Sequence, residues 1–282
     1  MQLSLILKDI KIEHTLFAMP FAIMGAFIAA GGLPHTGTLA LLLLALVFAR
    51  SSAMAFNRLA DARFDKTNPR TQNRPLAQGK AKTGAYAAFV VISSASFIGV
   101  CYFINPLAFL LSPLALAVVL FYSLTKRFTA YSHLFLGVAL ALAPIGAWIA
   151  VTGRVETAPL VLGGAVVFWL VGLDIIYSCQ DVEHDKGAGL FSIPSRFGVA
   201  RALSYSAMAH VVMVSFLVSL FFISDLGLVY LLGVVLTAAL LWYEHRLVRP
   251  DDLRRVNTAF FNVNGLISVG LMAFTIVDRL LT

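Results

Sequence analysis

The chain is a succession of long apolar runs broken by polar connections. Runs close to the ~20 residues that cross a bilayer as a helix fall at about 14–32, 38–57, 83–104, 106–125, 131–152, 157–178, 202–223, 226–244 and 258–277. This pattern predicts an all-α, polytopic membrane protein of about nine transmembrane helices, with residues 1–282 as one membrane-embedded domain. Ahead of the first run, MQLSLILKDIKIEHTLF mixes Lys8, Asp9, Lys11 and Glu13 with Leu and Ile. It reads as an interfacial amphipathic segment, because it lacks the apolar core and cleavage site of a removed signal peptide.

Composition agrees with the pattern. Of 282 residues 60% are hydrophobic and only 12% charged, with a mean hydropathy of +0.87, too little charge to cover the surface of a soluble protein this long. The net charge of +7 is explained by topology, not by nucleic acid. Eighteen of the twenty-one Lys and Arg lie in the N-terminus and in the connections around 58–82, 126–127, 181–201 and 245–257, all on one side of a nine-span chain. Arg154 and Arg279 lie on the other side, and Arg50 lies within a span. The bias places the N-terminus and the long loops in the cytoplasm, and a prokaryotic inner membrane is expected. Cys101 and Cys179 sit in apolar segments without CxxC spacing, so neither a disulfide framework nor a thiolate metal site is expected.

Chemistry concentrates where the second and sixth spans end. Asn57, Asp61 and Asp65 recur every four residues and so share one face of a helix. Lys66, Arg70, Arg74, Lys80 and Lys82 follow. At the end of the sixth span, Asp181 and Asp185 repeat the four-residue step, and Asp174 lies seven residues before Asp181 on nearly the same face. A carboxylate about two turns inside an apolar span is costly in lipid and should face a polar cavity or the other cluster. Two facing acidic clusters repel unless cations lie between them, and an oxygen-rich donor set suits a hard divalent ion such as Mg²⁺. Either cluster alone is also what an ordinary solvated helix end looks like.

Carboxylates from two helices around Mg²⁺, with Lys and Arg close by, would suit a diphosphate. In a membrane the natural diphosphate ester is a prenyl one, its tail among apolar spans and its allylic cation under aromatic faces. An ion-coupled secondary transporter would also use intramembrane acids, but near the midplane, whereas all of these except Asp174 lie at helix ends. A CDP-alcohol phosphotransferase would need a DGxxAR stretch, which is absent.

Two stretches carry a family resemblance. Asn57-x₃-Asp61-x₃-Asp65 with Arg70-Thr71, Asn73-Arg74-Pro75-Leu76 and Gly79, and Tyr177-Ser178-Cys179-Gln180-Asp181-x₃-Asp185, resemble the two signatures of the UbiA superfamily of intramembrane prenyltransferases. The resemblance implies the UbiA-type fold, helices around a central cavity open to lipid. It also implies that Asn57, Asp61, Asp65, Asp181 and Asp185 hold Mg²⁺ and a polyprenyl diphosphate, with Asp174 at the inner edge of the site. Lys126, in Tyr122-Ser123-Leu124-Thr125-Lys126-Arg127, matches a lysine of the family that contacts diphosphate. Tyr122 and Tyr177, within these motifs, are expected to line the substrate site. Arg58 departs from the pattern, since many members have Asp after the Asn.

Arg50 bears on the acceptor. An arginine seven residues before the motif Asn resembles the 4-hydroxybenzoate polyprenyltransferases of quinone biosynthesis, and a guanidinium two turns inside a span is satisfied by the carboxylate of an aromatic acid, or else by one of the chain's own acids. Glu13-His14-Thr15-Leu16-Phe17, Phe56-Asn57-Arg58 and Phe260-Phe261-Asn262-Val263-Asn264-Gly265 are similar to a branch of the futalosine menaquinone route, whose acceptor would be 1,4-dihydroxy-6-naphthoate. The histidines, including His14, His133 and His184, show no metal-ligand spacing and read as structural or interfacial. Pro20, Pro113 and Pro144 fall inside the predicted spans, where kinks would open space.

Overall fold

The computed structural model describes residues 2–10 and 17–282. The motif residues Glu13 to Leu16, and Lys11, lie outside the described residues. An amphipathic helix, α1 (Gln2–Asp9), precedes α2 (Met19–Ala30), α3 (Thr36–Asp65), α4 (Thr83–Ile104), α5 (Pro106–Thr125), α6 (Ser132–Thr152) and α7 (Thr157–Ser178). Two short helices, α8 (Val182–Gly187) and α9 (Ile193–Phe197), lead to α10 (Val199–Ile223), α11 (Leu228–Leu247) and α12 (Asn264–Leu281). Among the described residues, eight helical segments are long and apolar enough to cross a membrane, and α2 is a shorter apolar helix within the first predicted span. No strand occurs among the described residues.

Most helices end within a few residues of the apolar runs, but α3 does not. Its 30 residues are ~45 Å long at ~1.5 Å per residue, against ~30 Å of hydrocarbon. The helix is thus longer than one crossing needs, and its last turns carry the Asn57/Asp61/Asp65 stripe. Helix α7 likewise continues through a 3₁₀ turn, Cys179–Asp181, into α8. The turn changes the helical period between Asp174 and Asp185, and Asp174, Asp181 and Asp185 all line one cavity.

The main core lies where α2, α6, α7, α10, α11 and α12 meet, around Trp169, Phe21, Met24, Met213, Leu217 and Tyr230. Close approach is set by small residues: a Cβ added to Gly137 in α6 would lie 2.7 Å from the Val167 carbonyl oxygen in α7, and one added to Gly25 in α2 would lie 2.8 Å from the Pro144 carbonyl oxygen. Without hydrophobic drive between helices in lipid, such small-residue contacts are what packing relies on. A second, smaller cluster joins α1 to α3 and α4 through Ile6, Ile10, Ala55 and Tyr86. Pro113 and Pro144 are inside helices, as predicted, whereas Pro20 stands in the first turn of α2, where its missing N–H removes no helical bond.

Candidate active site

The extended ends of α3 and α7 and the loops after them enclose a cavity of about 700 Å³. Every site residue predicted from the sequence lines it: Arg50, Asn57, Asp61, Asp65, Arg70, Arg74, Tyr122, Lys126, Asp174, Tyr177, Asp181 and Asp185. Lys66, Lys80 and Lys82 do not.

Each carboxylate is held by a side chain of the protein. Lys126 Nζ is 2.8 Å from Asp61 Oδ2, and Arg74 donates to both oxygens of Asp65 at 2.8 Å. Arg70 grips Asp181 through Nη2 at 2.5 Å and Nε at 3.1 Å, and it donates to the Tyr177 hydroxyl at 2.9 Å. Burial works against the Arg70 charge, but the bond to Asp181 and that carboxylate's charge outweigh it and hold the guanidinium above its ordinary pKa. Asp185 accepts from Ser192 at 2.9 Å, the residue that also caps α9.

This arrangement changes the electrostatic argument. Asp61, Asp65 and Asp181 are each paired with a cation, Lys126, Arg74 and Arg70, so the coexistence of the two clusters does not by itself require a divalent ion. Nor are Asn57, Asp61, Asp65, Asp181 and Asp185 gathered as a ligand shell: among the described residues no three His, Cys, Asp or Glu are placed to hold a metal. The donor set nevertheless fits one. Asp61 is only 3% exposed, and its Oδ1 is buried without a hydrogen-bond partner, an orphan acceptor that a hard cation would satisfy.

Lys126 is placed by its neighbours. Arg127 donates to the Ala60 carbonyl at 2.5 Å, tying the end of α5 to α3, while the Lys126 carbonyl accepts from Phe191 N at 2.7 Å. Asn68 was not singled out by the sequence, yet it donates to Asp181 at 3.2 Å and accepts from Arg70 N at 2.8 Å. As a loop residue it has no periodicity to mark it. His133 is the larger omission, since the spacing of the histidines reads as structural. Its buried ring accepts from Ile193 N on Nε2 at 3.2 Å, which leaves Nδ1 to donate to Asp174 Oδ2 at 2.7 Å. Asp174 is thus held by a histidine 41 residues away and lines the polar cavity, one of the two places expected for it.

Aromatic rings line the cavity beside the charges. Tyr177 and Phe260 lie with centroids 4.1 Å apart, and Phe17 packs edge-on to Phe260 at 5.5 Å. Phe260 and Phe261 sit on a π-helical turn, Thr258–Val263, just before α12. Asn264 anchors that turn: it donates to the Ala259 carbonyl at 3.0 Å and to buried Glu244 at 2.6 Å, and it accepts from Trp169 at 2.7 Å. Arg50 is half-buried and lines the cavity two turns below Asn57.

A polytopic helical bundle with an acidic and basic cavity end beside aromatic rings defines a class, the membrane enzymes that handle a charged head on an apolar tail. The chain belongs to the UbiA prenyltransferase family, whose model matches residues 18–266. Among curated relatives, the 4-hydroxybenzoate octaprenyltransferase of Alkalilimnicola ehrlichii is 33% identical over 252 residues, 88% of this chain and 85% of that one. The enzyme of the same name from Shewanella woodyi is 30% identical, over 89% and 87% of the two chains. The apo structure of a UbiA homolog from Aeropyrum pernix K1 is 33% identical and superposes with a TM-score of 0.86, covering 95% of this chain and 98% of that one. A UbiA homolog from Archaeoglobus fulgidus bound to GPP and Mg²⁺ shares the fold, with a TM-score of 0.79 at 20% identity over 99% and 100% of the chains. The protein is therefore an integral multi-pass membrane prenyltransferase, and the transporter reading falls away.

Proposed function

We propose that the protein transfers a polyprenyl group from polyprenyl diphosphate to the ring of a small aromatic acid, most simply 4-hydroxybenzoate, in respiratory quinone biosynthesis. The observation that carries this reading is one cavity in which three paired cations, Lys126, Arg74 and Arg70, adjoin the aromatic side chains of Tyr177, Phe260 and Phe17. An arriving diphosphate exchanges its oxygens for the carboxylate partners of these cations, and the freed Asp61, Asp65 and Asp181, with Asp185 beside them, are the groups that would hold Mg²⁺. When bound, the metal supplies positive charge against the leaving diphosphate.

The allylic C–O bond breaks and the diphosphate departs with the electron pair, stabilised by Lys126, Arg70 and Arg74. The allylic cation is held against ring faces, where cation–π attraction is strongest in a dry site. Arg50 fixes the acceptor carboxylate, and the ring carbon ortho to the hydroxyl forms the new C–C bond. Loss of the proton from that carbon restores aromaticity. The active-site loops and the N-terminus face the cytoplasm in this reading, and residues 1–282 act as one domain.

The deciding experiment is a transfer assay on purified protein with Mg²⁺ and a polyprenyl diphosphate, offering 4-hydroxybenzoate and 1,4-dihydroxy-6-naphthoate side by side, with Asp61→Ala as control. Product from the benzoate supports the proposal. Product from the naphthoate alone moves the enzyme to the menaquinone route with the same mechanism. No product from either acceptor, at any level above Asp61→Ala, refutes transfer to an aromatic acid.

A further inference from the structure

A buried chain of polar contacts runs from the N-terminal helix into the site. Arg58, 5% exposed, pairs through Nε with Asp9 at 3.4 Å, donates from Nη2 to the Asp9 carbonyl at 3.2 Å and from Nη1 to Asn57 Oδ1 at 3.1 Å. Asp9 is itself buried and accepts from the Tyr86 hydroxyl at 2.5 Å. On the other side, Asn57 donates to Asp61 Oδ2 at 3.1 Å, the same oxygen that faces Lys126. An arginine this deeply buried is tolerable only with its charge paired, so the arrangement ties α1, 49 residues away in sequence, to the end of α3. The register of α1 then follows. With Asp9 and Ile6 turned inward, Lys8 is exposed and lines the cavity beside Asp9.

We propose that α1 is a fixed wall of the diphosphate end of the cavity and that Lys8 is a further contact for the diphosphate, held in place by the Tyr86, Asp9 and Arg58 clamp. This rests on the reading of the cavity as a prenyl diphosphate site. Lys8 has no carboxylate partner among the ion pairs of the described residues. Unlike Lys126, Arg70 and Arg74, it has none to exchange before meeting an anion. In this chain Asn57 serves to orient Asp61: its oxygen is engaged by Arg58 and its amide by Asp61.

The test uses inorganic pyrophosphate with Mg²⁺ as the probe, titrated calorimetrically into purified full-length protein. Lys8→Ala, an exposed substitution that leaves the clamp in place, is expected to weaken binding about tenfold, the scale of one hydrogen bond to a charged group, and Lys8→Arg to restore most of it. Asp9→Asn is expected to weaken binding similarly and to speed hydrogen exchange across residues 2–9. If Lys8→Ala binds as wild type while Lys126→Ala is weakened, the role of Lys8 is refuted and the diphosphate reading stands. If wild type takes up no pyrophosphate, both fall. Unchanged exchange in Asp9→Asn refutes the clamp.

Discussion

At the scale of single residues, the site is a set of paired charges lining one cavity, and His133 holds one of its carboxylates. The His133 to Asp174 contact is half-buried, where a hydrogen bond to a charged group is worth about 1.5–3 kcal/mol. Replacing His133 by Phe leaves Asp174 unpaired at the cavity wall and removes the acceptor for Ile193 N. A fall in kcat/KM of about tenfold or more is expected, with His133→Gln recovering part of it because an amide can both donate and accept. Steady-state kinetics on the three proteins decides the matter, and equal rates for His133→Phe and wild type would make the contact merely structural. That Asn57, Asp61, Asp65, Asp181 and Asp185 would come to one cavity was legible in their spacing along the sequence. The pairings were not. Arg70 and Asp181 lie 111 residues apart, and nothing local in a sequence marks a contact of that range.

At the scale of elements, apolar runs mark helices well while they remain in lipid and poorly beyond it. The predicted second span stops at residue 57 because hydropathy stops there, yet α3 continues to Asp65, sustained by helical periodicity and by Lys126 and Arg74 on its acidic stripe. The 3₁₀ turn after α7 escapes detection for the opposite reason, since a change of period over three residues leaves no hydropathic trace. Helix contacts give a sharper expectation. In α6, Gly137→Ala drives a methyl into the Val167 backbone at 2.7 Å, whereas Gly146→Ala in the same helix meets nothing within 4 Å. The first should cost about 1–3 kcal/mol as overpacking against rigid backbone, while the second should be neutral or slightly stabilising through helix propensity. Thermal melts of both variants in one detergent compare them directly, and equal melting temperatures would mean that α6 and α7 can separate freely at that point.

At the scale of the whole molecule, the charge asymmetry and the cavity size each lead to a measurement. A cysteine placed at the exposed position Gln72 should be labelled by an impermeant thiol reagent from the cytoplasmic face only, and one at exposed Arg154 from the opposite face only; the reverse result inverts the topology. The cavity of about 700 Å³ falls within the ~300–1,000 Å³ range of sites for drug-sized ligands, and under the proposed function it would hold a diphosphate, an aromatic acid and the start of a tail. A long polyprenyl donor of the proposed kind would exceed that volume, and its distal part would then leave between helices into the bilayer. Tail length should therefore matter only while added units still displace water or fill apolar volume inside the cavity. With geranyl, farnesyl and longer polyprenyl diphosphates at a fixed acceptor concentration, kcat/KM should rise over the first few units and then level off. A sharp optimum followed by a decline would instead mean that the tail is enclosed and measured by a closed tunnel.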